Sequence, residues 1–308
     1  MFFTIPHTYE TVDFKELFSA SGSARWEEVW RNTDVLAIYG NSVLPWWRKR
    51  RHPERYASGH FQDDDELFAM GAWLQTRGIS LCIAAGGIKE WSLDAVSART
   101  RTEDMVNRLV RNGCHPASIR IDESLYAGLK HGQTLDGVVE TVARNYCLPL
   151  GNAFNDLKIG VVEPWPACTA ARIESYVVQL ARRGTPPAFV HIDINYPRVG
   201  VIGSVPELVE ALETISRLGI PIGIIAWSSN FHTRPTTSAE YCWNTLDFAG
   251  WMHGYFDRFC DHHIVQSWQP YPTHCLPEDG DDTFMWLVRE YGRLHVRDWQ
   301  QMPTGPIV

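Results

Sequence analysis

A chain of 308 residues with a formal net charge of −8, 21% charged and 44% apolar residues has the balance of an ordinary globular protein with a substantial core. The acidic excess argues against a nucleic-acid binder, and no apolar run is long enough to cross a membrane. The opening Met1-Phe2-Phe3-Thr4-Ile5-Pro6-His7 lacks the basic and apolar regions of a secretory signal.

Residues 2–5 form a short candidate first strand, and helical spacing follows between Phe14 and Trp30. Residues 35–41 read as a strand ending in Gly40 and Asn41. A helix over about 64–76 starts on Asp63-Asp64-Asp65-Glu66, acids that complement the helix dipole. Residues 79–87 form a strand with small residues on one face, and 102–112 a helix ended by Gly113. The stretch 118–124, Ser-Ile-Arg-Ile-Asp-Glu-Ser, alternates with Ile119 and Ile121 on one face and Arg120 and Asp122 on the other. A helix over 134–147, a strand over 158–163 and a helix over 170–183 follow. Then come a strand over 188–195, a helix over 205–218, a strand over 221–227 and a helix over 237–258. A strand over 263–268 and a helix over 282–291 complete the order.

Strands alternating with helices predict a parallel sheet. Eight such units predict an α/β fold, a single closed (β/α)8 TIM barrel spanning 1–308 as one domain. Closure depends on residues 2–5 pairing between strands 35–40 and 263–268. Seven scattered cysteines with no C-x-x-C pair fit reduced thiols in a cytoplasmic protein.

The site of such a barrel lies at the C-terminal ends of its strands. Asp122, Glu123, Glu163 and Asp193 fall there on three consecutive strands, so they are the candidate catalytic residues. Splitting a glycosidic bond needs one carboxyl held protonated and one ionised, and crowding acids together raises the pKa of at least one. Glu163 is expected to be essential, with Asp122 or Glu123 across the pocket and Asp193 tuning both. The plainer alternative is a structural network of these acids with Arg120, Lys158 or His191. Tyr39, Asn41, His191, Asn195, Trp227, Gln266 and Trp268 also sit at strand ends, while Trp46, Trp47 and Trp165 follow strands. Polar edges beside aromatic faces suit a sugar, so these ten are the candidate substrate-binding residues. The expected partner is an oligosaccharide or glycoside, with no nucleic acid, membrane, metal or cofactor. A second reading is a metal-dependent isomerase or lyase using Glu163, Asp193, His191 and Asp122 as ligands. A third is a non-catalytic carbohydrate-binding barrel. Asp261-His262-His263 reads as a helix C-terminal feature at the end away from the site.

These residues carry a resemblance. The pattern is similar to the barrel glycoside hydrolases, above all the large clan whose acid/base Glu ends strand four after an Asn. Here Glu123 stands at that position after Asp122, and Trp268 resembles the clan's Trp at the end of strand eight. The clan's nucleophile Glu ends strand seven, where this chain has Ala226-Trp227-Ser228-Ser229, and the chitinase-type D-x-x-D-x-D-x-E run is absent. The resemblance implies a glycosidase that draws its second carboxylate from Glu163 or Asp193.

Overall fold

The computed structural model describes residues 1–6, 11–44, 60–61, 63–86, 89, 94–229 and 234–301. Trp46, Trp47 and the basic run 48–51 lie outside them. Eight strands form one closed, all-parallel barrel: β1 (Phe2–Ile5), β2 (Val35–Tyr39), β3 (Ser80–Ala85), β4 (Pro116–Asp122), β5 (Lys158–Trp165), β6 (Val190–Ile194), β7 (Ile222–Ala226) and β8 (His262–Gln266). Strand β1 is where the sequence puts it. Phe3 pairs in register with Val35 on one side and Ile264 on the other.

The strands are short apolar runs because both faces of a barrel wall are covered. One set of side chains, including Leu36, Ile38, Ile83, Ile119, Ile121, Val161 and Ile192, packs outward beneath the helices. A smaller set, Phe3, Val35, Ala37, Cys82, Val162, Ile225 and Ile264, fills the lumen.

Most helices start on a side chain that accepts an amide of the first turn, a cap of about 1 kcal/mol each. Asp63 accepts from Glu66, Asp94 from Ser97, Thr169 from Arg172, Thr237 from Glu240 and Thr283 from Trp286. The Asp94 cap explains why the helix Ala95–Arg111 begins well before the expected residue 102. The expected helix over 14–30 is instead four short turns between Phe14 and Arg31. A helix over Ser124–Lys130 follows β4 directly and was not expected. The acids at 63–66 serve the helix and its neighbours: Asp64 pairs with Arg108 and Glu66 with Lys15.

Candidate active site

The site is built on a floor of four buried rings. Phe3, Phe189, His191 and His262 pack ring against ring inside the barrel, at centroid separations of 4.5 Å for Phe189–His191 and 4.9 Å for Phe3–His262. Gly160 makes room for this plug, since a Cβ there would lie 2.1 Å from the Phe189 ring. His191 Nε2 and His262 Nδ1 are 3.0 Å apart and share one hydrogen bond. Burial, then each other's charge and Arg120, pushes His191 well below its ordinary pKa, and burial brings His262 down to about 4. Both are neutral packing groups at neutral pH. His191 therefore belongs to the floor and not to the rim, and His262 is a lumen residue of β8 where the sequence reading made it a helix-end feature.

Arg120 spans the lumen above that floor. It is 2% exposed, and its Nη2 donates to Gln266 Oε1 at 2.5 Å, from β4 to β8 on the opposite wall. Gln266 Nε2 in turn donates to the Tyr39 hydroxyl at 2.9 Å, and Tyr39 donates to the Ser267 carbonyl at 2.6 Å. Burial holds the Tyr39 phenol well above its ordinary pKa, so it remains a donor. Trp227 and Trp268, both half-buried, meet at a centroid distance of 4.4 Å where β7 and β8 end.

The rim carries the acids. Lys89 Nζ lies 3.1 Å from Asp122 Oδ2 and 3.0 Å from Glu123 Oε2, bridging the adjacent carboxylates. Against the pull of burial, both acids hold this ammonium above its ordinary pKa. Burial, then Asp122, raises Glu123, with Lys89 opposing. Glu123 also has a φ of 51°, a left-handed backbone unusual for a side-chain-bearing residue. Its amide donates to the Val162 carbonyl at 2.7 Å. Asp193, pointing inward from β6 with the parity of His191, has its Oδ1 buried without a hydrogen-bond partner. Burial first, then the charges of Glu123 and Asp122, pushes its carboxyl up to about 8.

Glu163 is not in this group. It shares a face of β5 with Val161 and Trp165, which pack under the helices. Its Oε1 accepts from the Leu125 amide at 2.8 Å and the Ser124 hydroxyl at 3.0 Å, and its Oε2 from the Tyr126 amide at 3.1 Å. Ser124 is tied onward to the Tyr176 hydroxyl at 2.7 Å. Glu163 thus caps the helix Ser124–Lys130 from outside the barrel. Burial lifts its carboxyl to about 8 against those donors. The expectation of Glu163 as the essential acid fails on strand parity: successive side chains of a strand face opposite ways. Trp165 fails with it, being fully buried with its ring against Gly203. Asn195 opens the turn after β6, half-buried, and Asn41 is exposed in the turn after β2.

The ligand set imagined for a metal likewise does not converge, because Glu163 lies outside and His191 is bound to His262. Among the described residues, no three His, Cys, Asp or Glu side chains gather so as to hold a metal ion. All seven cysteines are unpaired, and no described helix is long and apolar enough to cross a membrane. Two rim and lumen residues escaped the sequence reading. Lys89 gives no local signal beyond following the β3 end by four residues, while Arg120 was visible on the polar face of β4 but was assigned only to pairing.

No protein-family model matches the chain, and no curated protein matches it. Solved structures match it in fold. A glucosidase from Croceicoccus marinus superimposes with a TM-score of 0.50 at 13% identity, over 86% of this chain and 63% of that one. Xylanase XynB from Paenibacillus barcinonensis gives 0.51 at 14% identity, over 93% and 94%. A GH10 endoxylanase from a sugarcane soil metagenome gives 0.54 at 9% identity, over 93% and 96%. The present chain thus spans less than two thirds of the glucosidase but nearly all of both xylanases. At such identities the likeness is one of architecture: the chain shares the closed (β/α)8 barrel fold of these enzymes.

Proposed function

We propose that this barrel is a glycosidase acting on an oligosaccharide or glycoside, with Asp193 as proton donor and Glu123 as the ionised partner, steadied by Lys89 against the neighbouring Asp122. The observation that carries this reading is the Asp193 carboxyl, buried without a partner at Oδ1 and facing the charges of the Lys89-bridged pair. A carboxyl that keeps its proton at neutral pH beside one that gives it up is the equipment of glycoside cleavage. The Trp227–Trp268 pair supplies an apolar face for a pyranose ring.

The pH dependence follows from the shifts. Glu123, raised above the ordinary glutamate range, must lose its proton, so activity rises as pH climbs through that raised value. Asp193 must keep its proton, so activity falls again as pH passes about 8. Replacing Asp193 by Asn or Glu123 by Gln keeps shape and removes the titrating group. Each is expected to lower kcat on aryl glycosides or xylo- and cello-oligosaccharides by roughly 10²–10⁴. D193N should in addition abolish the alkaline limb. Full turnover in both variants would sink the assignment.

A further inference from the structure

Arg120 is a fixed cation that no carboxylate contacts among the described residues. A guanidinium stays protonated at any pH a protein tolerates. Its Nε and Nη1 are buried with no hydrogen-bond partner, and its one bond goes to the neutral amide of Gln266. Among the described residues it makes no ion pair. The rim carboxylates Asp122 and Glu123 are both engaged by Lys89. A buried charge left unpaired is costly, and proteins keep such groups where a ligand completes them.

We propose that Arg120 is an anion receptor above the floor of the barrel, and that the sugar bound there is a uronosyl residue whose carboxylate it takes. The sugar half of this rests on the glycosidase reading; the anion half does not. The receptor is preorganised, because the Arg120–Gln266–Tyr39–Ser267 relay uses the inward donors of Gln266 and Tyr39 and holds the guanidinium across the lumen. The charge inventory selects a monoanion. One guanidinium lies below, and two acids lie above with one lysine between them, so a phosphate dianion meets more repulsion than a carboxylate. The Trp227–Trp268 pair at the mouth calls for a ring bearing that carboxylate.

Titration calorimetry on the full chain tests this without any turnover. The probes are D-glucuronate, its neutral isostere D-glucuronamide, and inorganic phosphate. Glucuronate is expected to bind about tenfold or more tightly than the amide, as charge-assisted hydrogen bonds allow, with phosphate weaker than glucuronate. Gln266→Glu places a carboxylate where the amide oxygen now meets Nη2, satisfies Arg120 from within, and should erase the preference while leaving the far-UV circular dichroism unchanged. Arg120→Met should erase it too; if that variant does not fold, the wild-type comparison and Q266E decide. Equal binding of acid and amide, no binding of either, phosphate binding as tight as glucuronate, or a preference that survives Q266E each overturns the proposal. Normal turnover by D193N and E123Q would refute the carboxylate assignment and leave these binding results standing.

Discussion

Glu163 lies between Val161 and Trp165 on the outer face of β5, and that parity decides its work. It holds three donors at the start of the helix Ser124–Lys130: two backbone amides and the Ser124 hydroxyl. Gln at this position presents an amide nitrogen to one of those donors. Leaving a buried donor unmatched costs about 1–3 kcal/mol, so Glu163→Gln should lower the thermal midpoint while turnover falls far less than in D193N. An unchanged midpoint would contradict the capping role. The residue scale also marks where sequence stops being informative. On β4, Ile119 and Ile121 against Arg120 and Asp122 reveal the inner face at once. On β5 the inner face offers Gly160, Val162 and Pro164 and the outer face Val161 and Trp165. Apolar residues on both sides silence the alternation, and register is needed to tell the two apart.

The elements pack through close approaches that single glycines permit. Gly160 on β5 lies under the Phe189 ring, with 2.1 Å to the nearest ring atom from an added Cβ, whereas Gly151 in the helix Leu148–Ala153 has nothing within 4 Å. Gly160→Ala should therefore destabilise by about 1–3 kcal/mol through overpacking, and Gly151→Ala should stabilise by roughly 0.4–1 kcal/mol. Urea unfolding of the two variants side by side separates these signs; a tolerated Gly160→Ala would mean that the floor is loosely packed. Most helices with a local cap were legible to within a few residues, as at Asp63 and Thr169, though not the one that Asp94 caps. Ser124–Lys130 was not, because its cap position is Glu123, in a left-handed conformation and with no side-chain bond to the first-turn amides. The capping carboxylate comes from Glu163, and no nearby pattern announces it.

At the scale of the molecule, closure rests on the four residues of β1. The seam is held from outside. Phe2 packs on Trp299 at 5.3 Å and its amide donates to Asp34 at 2.7 Å. Behind it Glu28, almost wholly buried, accepts from Arg293 through both oxygens at 2.7 Å and from Trp299 Nε1 at 2.9 Å. Glu278 returns from the far end of the chain to accept the Glu28 and Val29 amides. Removing one partner of such a pair costs about 3–5 kcal/mol when fully buried, and somewhat less here because Arg293 keeps partial solvent contact. Glu28→Ala should lose on the order of 3 kcal/mol, and hydrogen exchange should show the β1 and β8 amides opening before those of β4 and β5. Uniform protection in the variant would remove the seam from the list of weak points. That a strand belonged at residues 2–5 was read from the count of strand–helix units; what fastens it was not, since Glu28, Glu278 and Arg293 meet only in three dimensions.

The ring-on-ring floor of Phe3, Phe189, His191 and His262 has one last effect, on traffic. Among the described residues, a cylinder plugged with rings at its lower end is open toward the rim. On the proposed glycosidase reading, the sugar, the water that meets it and the fragments that leave would all pass the same rim, past Trp227 and Trp268. On that reading, a fragment lingering over Arg120 would keep the next arrival waiting outside.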